Sequence, residues 1–212
     1  MNKKKYIGLD WLRALSCIGI VVWHIKANTD YAISGFIYDR FIPSFNDFVY
    51  LFMAVSAFGM CCGYYDKVMN GTVNWSDFYK KRYVKILPFF ALLVVLDLAM
   101  GFSKSSLYEA VTELTLLHGF IPNDLSVIGV AWFLGTVFIF YLIFPFFCSL
   151  IENKKKAWIV LIVAMILSFI ATYHFGVHRK NFLVSFCFFV TGGLVFKYKE
   201  LNFPTSKSGI NT

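Results

Sequence analysis

The run "GLDWLRALSCIGIVVWHI" (residues 8–25) is apolar enough to lie in lipid, yet it carries Asp10, Arg13 and His24. Lipid offers no partner for an open backbone, so a helix is its natural form. A helix turns about 100° per residue, which puts Arg13 and His24, eleven apart, within about 20° of one face. Asp10, three residues before Arg13, and Cys17, four after it, fall close to that face. At about 1.5 Å per residue Arg13 and His24 stand about 16 Å apart along the axis, about half the depth of a bilayer core. A charged side chain at mid-bilayer costs about 2.5–3.5 kcal/mol even on the lenient insertion scale. A stripe of three ionisable groups is therefore read first as functional. The competing reading makes Asp10 and Arg13 interface markers, with Arg13 snorkelling to phosphate and His24 sitting at the far interface beside Trp23.

Composition agrees with a membrane location. Of 212 residues, 58% are hydrophobic and only 15% charged, against about 25% charged in a soluble domain. The net charge of +8 raises the question of nucleic acid. The basic residues sit in short clusters between apolar runs, as orientation signals do, so membrane lipids are the expected partner and nucleic acid is not. The five cysteines fall in or at the ends of apolar runs without metal-ligand spacing and read as small buried hydrophobes. His174 and His178 are four apart, but Gly176 lies between them and the context is a loop; no metal is expected.

Six apolar runs, near 7–26, 46–65, 86–103, 128–150, 157–175 and 181–197, are long enough to span or nearly so. The fold class expected is all-α, a polytopic transmembrane bundle. Fourteen cations (Lys3, Lys4, Lys5, Lys67, Lys80, Lys81, Arg82, Lys85, Lys154, Lys155, Lys156, Lys197, Lys199 and Lys207) fall in one set of loops, and five (Lys26, Arg40, Lys104, Arg179 and Lys180) in the other. The positive-inside rule then places both termini in the cytoplasm. Residues 1–200 form the membrane-embedded domain and 201–212 a cytoplasmic tail. A cleaved leader is disfavoured because Asp10 and Arg13 interrupt the apolar run. "NWSDFYKKRYVKILP" (74–88) reads as a basic, aromatic interfacial helix leading into the third span, with Ser76 or Asp77 as its cap. "SLYEAVTELTLLHGF" (106–120) reads as a short surface helix with Glu109 and Glu113 on its polar face and His118 at the surface. Asp97 could pair with Arg13 or His24 or sit in water, and "TGG" (191–193) suits close helix packing.

Four segments carry a family resemblance. "RALSCIGIVVWH" is an arginine, ten residues, then a histidine. "LFMAVSAF" (51–58) is similar to Phe-x-x-x-Ser-Gly-Phe, with Ala57 where glycine is usual. "FYKKRYVKILP" (78–88) is similar to Phe-x-x-x-Arg-x-x-Arg-x-x-Pro, with Lys85 for the second arginine. "WFLGTVFIFYLIFP" (132–145) is similar to a Trp-x-Leu…Tyr-x-x-x-Pro segment, with Val137 where many relatives carry a glutamate. In this order the segments resemble the acyltransferase-3 family of integral membrane O-acyltransferases, over roughly residues 7–200. Relatives resemble bundles of about ten spans, so this chain looks like the N-terminal part of one.

The resemblance implies transfer of an acyl group, acetyl in the first instance, from acyl-CoA to a hydroxyl of a surface or lipid-linked sugar, in a bacterial inner or plasma membrane. Arg13 and His24 would be the catalytic pair, with His24 taking the hydroxyl proton or briefly carrying the acyl group. Arg13, Arg82 and Lys85 would bind the donor phosphates; Arg82 and Lys85, three apart, share a helix face. The alternatives are a truncated non-catalytic membrane protein and a small proton- or solute-conducting bundle.

Overall fold

The computed structural model describes residues 7–30, 32–120, 129 and 131–202. Lys3, Lys4, Lys5, Lys207 and most of the 201–212 tail lie outside these. Among the described residues there are helices and no strands. They are α1 (Ile7–Ala27), α2 (Phe48–Met69), α3 (Trp75–Met100), α4 (Lys104–Leu114), α5 (Ala131–Leu150), α6 (Lys154–Tyr173) and α7 (Phe182–Asn202). All but α4 are long and apolar enough to cross a membrane. Between α1 and α2 the chain winds through three short turns, Ile37–Phe41, Ile42–Ser44 and Phe45–Asp47.

Lipid tails are as apolar as leucine, so such helices are held by close packing and by hydrogen bonds between them. Helix α7 packs between α2 and α6, α1 lies on α2, and α5 closes on α2 and α7. Glycines permit the closest approach. A methyl group on Gly192 would stand 2.1 Å from the Ala54 carbonyl oxygen of α2, and one on Gly193 would stand 2.7 Å from the Phe147 ring of α5. The core is aromatic: Phe140 stacks on Phe189 at 4.2 Å between centroids and meets Phe147 edge-on at 5.0 Å, while Phe78 and Phe144 stack at 6.0 Å.

Hydrogen bonds fix which helix ends lie together. At one end Tyr79 Oη donates to the Leu142 carbonyl (3.1 Å), Tyr65 Oη to the Glu152 carbonyl (3.3 Å) and Trp158 Nε1 to Tyr198 Oη (3.0 Å). At the other, Thr136 Oγ1 donates to the Lys180 carbonyl (3.3 Å) and Ser168 Oγ to the Val184 carbonyl (3.1 Å). Consecutive spans therefore alternate in direction. The first end gathers Lys67, Lys80, Lys81, Arg82, Lys85, Lys154, Lys155, Lys156, Lys197 and Lys199; the second carries Lys26, Arg40, Lys104, Arg179 and Lys180. Surface polarity at the rich end includes an i,i+4 pair, in which Lys156 holds the Glu152 carboxyl below its usual pKa.

Three expectations are corrected. Residues 74–88 lead directly into the third span as the first half of α3, which runs on through Pro88, but its cap is Asn74, whose side chain accepts from the Asp77 amide at 3.2 Å, rather than Ser76 or Asp77. Phe78 on this segment is fully buried under Phe144 and Tyr64. The surface helix at 106–120 stops at Leu114, and both Glu113 and His118 are buried. Its break is at Leu116, where φ is +58° and the side chain is buried, so the chain turns back onto α5. Cys17 is exposed, unlike Cys61 and Cys148, which are buried as expected.

Two outcomes are expected. Gly192→Ala forces a methyl group into the α2 backbone, and overpacking of this kind costs about 1–3 kcal/mol; thermal unfolding in detergent should show the loss, and Gly63→Ala, which meets nothing within 4 Å, should not. The positive-inside rule leads to the expectation that the cation-rich end faces the cytoplasm. An impermeant maleimide should then label Ser34→Cys in intact cells, and Asn153→Cys only after permeabilisation.

Candidate functional site

Arg13 lies two turns into α1 and points at α2. Its Nη2 occupies the space that a methyl group on Gly59 would fill, 2.4 Å from that position. Its Nη1 is 3.6 Å from Asp10 Oδ1, and both side chains keep exposure, 38% and 56%. Asp10 thus offsets the charge from one turn away without enclosing it. One turn beyond Gly59 on α2, Cys62 Sγ receives a hydrogen bond from Lys199 Nζ of α7 at 3.8 Å and lies within electrostatic reach of Arg13.

Arg82 reaches the same region from α3. Its guanidinium lies 3.5 Å over the Phe78 ring, 4.8 Å from the Tyr64 ring and 5.1 Å from the Tyr141 ring. Nη1 donates to the Phe78 carbonyl at 2.7 Å and Nη2 to Met60 Sδ at 3.0 Å. Stacking of this kind is worth about 0.5–2 kcal/mol and grows as water is excluded. Among the described residues no carboxylate pairs with Arg82, and its buried Nε has no hydrogen-bond partner. The cation-rich end therefore holds two guanidinium groups from different helices against adjacent residues of α2, Gly59 and Met60, with few anions to balance them.

Lys85 does not join this group. It is exposed, so the face it shares with Arg82 in sequence divides into an inward arginine and an outward lysine. Asp97 makes no ion pair with Arg13 or His24. Val137, where an acid might have stood, is buried in the aromatic core.

His24 sits toward the other end of α1. The wall behind it is built by Gly19, whose missing side chain admits the Phe48 ring at 2.4 Å from the would-be methyl, and by the 42–47 turns that lean on α1. Lys26 secures this contact: its Nζ donates to the Tyr38 carbonyl, lies 4.1 Å over the Tyr38 ring and is 3.8 Å from Asp39 Oδ1. The His24 imidazole is half-buried and makes no hydrogen bond among the described residues. The structure thus brings Arg13 and Arg82 together and leaves His24 apart at the opposite end.

Sequence reasoning did not find Tyr64, Tyr141 and Met60 as the surroundings of Arg82, or Lys199 beside Cys62. These contacts cross between helices far apart in the chain. The available signal was the pairing of Arg82 with an aromatic four residues earlier, Phe78, one turn below it.

Comparison with known proteins adds one finding. No curated protein and no solved structure matches the chain. A family model described as an acyltransferase domain matches residues 6–211, essentially the whole chain. With six apolar helices long enough to span, this multi-pass membrane protein belongs to the acyltransferase-3 family.

Proposed function

We propose that the protein transfers an acyl group, in the simplest case acetyl, from acyl-CoA to a hydroxyl of a surface or lipid-linked sugar, in a bacterial inner or plasma membrane. The observation that carries this reading is the convergence of Arg13 and Arg82 on adjacent residues of α2, Gly59 and Met60, at the cation-rich end. Two guanidinium groups without enclosing carboxylates suit a phosphate-bearing donor, because their planar forks bind oxyanions bidentately. Lys85, exposed at the same end, draws the donor in by charge and is not part of the clamp.

His24 stands about 16 Å further along α1 than Arg13. A donor anchored by phosphate at one level and reacting at the other must have a charged head and a slender extended arm, as an acyl-CoA has. The acceptor hydroxyl approaches from the opposite side of the membrane. His24, without a competing hydrogen bond among the described residues, takes the hydroxyl proton through a ring nitrogen as the oxygen attacks the thioester carbonyl. The C–O bond forms, the C–S bond breaks, and the thiolate leaves with the CoA. Val137 gives the imidazole no acidic partner, so the turns at 42–47 and Lys26 position the helix end that carries it.

The tests separate the two ends. Removing a general base costs about 10²–10⁴-fold in rate, so His24→Ala should lose acetyl incorporation into envelope polysaccharide by that factor while acyl-CoA affinity stays at the parent value. Arg82→Ala should weaken acyl-CoA binding, measured by calorimetry on the purified protein. Gly59→Ala should also weaken it, because the new methyl displaces the Arg13 guanidinium rather than any backbone. Retained activity in His24→Ala, or parent-like donor affinity in both arginine-site variants, would contradict the assignment.

A further inference from the structure

The acyl-transfer reading uses nothing between α4 and α5, yet that connection holds the most confined imidazole in the protein. His118 is 7% exposed. Its Nε2 lies 2.8 Å from the Ala131 carbonyl oxygen at the start of α5. A carbonyl only accepts, so Nε2 carries the proton and the neutral ring has its lone pair on Nδ1. Nδ1 is buried and has no hydrogen-bond partner among the described residues.

The ring fits a notch made by glycine: a methyl group on Gly135 would stand 2.5 Å from His118 Nε2 and 2.8 Å from both Cδ2 and Cε1. The next residue, Gly119, is seated as closely, its would-be methyl 3.1 Å from the Gly135 carbonyl carbon and the Thr136 nitrogen. The left-handed backbone at Leu116 aims this turn at α5. Thr136 in turn donates to the Lys180 carbonyl of the α6–α7 loop. The first turns of α5 are therefore the point at which two connections of the cation-poor end are fastened.

We propose that the 104–120 connection is a proton-operated latch on α5, with neutral His118 as its bolt, released when the compartment facing the cation-poor end becomes acidic. A second proton must go on Nδ1, which is buried and meets no acceptor among the described residues. Burial holds the imidazole below its usual pKa, and the Ala131 hydrogen bond offsets only part of that. A group whose folded pKa is lowered in this way favours the docked state above the free value of about 6.5, and the preference is lost as pH falls below it. The elements packed against this turn carry two ionisable residues, Glu113, fully buried five residues earlier on the same connection, and Lys180, whose carbonyl accepts from Thr136; burial and the Ala131 bond are what act on the ring. From the facing turns of α5, Ala131, Gly135, Thr136 and Ile139 contribute no titrating side chain.

The test is hydrogen exchange with mass spectrometry on the full chain in detergent, at about pH 7.5 and about pH 5.5, each normalised to an unfolded reference. If the docked ring excludes the proton, opening of 104–120 rises up to about tenfold across that interval, while α2 peptides do not change. His118→Gln keeps an amide donor for the Ala131 carbonyl and cannot titrate; its exchange should be low and the same at both pH values. Gly135→Ala fills the notch and should leave the connection open at both. A pH response that persists in His118→Gln would move the effect to Glu113 and overturn the proposal, as would a parent protein with no pH response. Should His118→Gln fail to insert, a Gly135→Ala protein that stays protected and pH-sensitive would overturn it equally.

Discussion

A guanidinium cannot leave water without finding something to replace it, and the placement of Arg82 is the constraint on which the cation-rich half of this bundle depends. Its charge is held on the Phe78 ring at 3.5 Å and by bonds to the Phe78 carbonyl and Met60 sulfur. That arrangement requires α3 to begin ahead of Phe78, at Trp75, and to press Phe78 under Phe144. It also requires α2 and α5 to present Tyr64 and Tyr141 at one level. Lipid provides no hydrophobic force to bring helices together. Aromatic surfaces that both pack closely and accept a cation therefore serve two purposes: they join three spans, and they keep a positive group inside without neutralising it.

The same economy governs the other end with different parts. There the polar groups are satisfied by backbone carbonyls: Lys26 on Tyr38, Thr136 on Lys180, His118 on Ala131. Carbonyls hold a donor in place without adding charge. The bundle is thus polarised, with most of its cations gathered at one end and carbonyl-bound donors, among them the Lys26 ammonium beside Asp39, at the other. A reaction that takes an anionic donor from one side and a hydroxyl from the other suits this polarity, and α1 is the helix that carries a residue of each kind.

Much of the fold was legible in the chain. Six apolar runs bounded by charge gave six spans, because length and the ban on open backbone in lipid leave few alternatives. The ends were less legible. That the basic, aromatic run 74–88 buries Phe78 beneath Phe144 is a contact between residues 66 apart. His118 looks like polar surface until the left-handed turn at Leu116 folds it onto Gly135, and Glu113, before that turn, is buried as well. Of the site, the spacing of Arg13 and His24 follows from helix geometry alone. That Arg82 turns inward while Lys85 stays exposed does not, because it depends on which neighbours offer an aromatic face.

The account stands on the donor lying against α2 at the level of Arg13 and Arg82. Cys62 reports on that place directly, since it is one turn from Gly59, within reach of Arg13 and bonded to Lys199. The decisive measurement is the rate of maleimide alkylation at Cys62, read by peptide mass spectrometry with and without saturating acyl-CoA, with half-buried Cys187 of α7 as the internal reference. The account predicts that acyl-CoA slows reaction at Cys62 and not at Cys187, and that Arg82→Ala weakens the protection. Equal Cys62 rates with and without donor, in a protein that binds acyl-CoA, would contradict it.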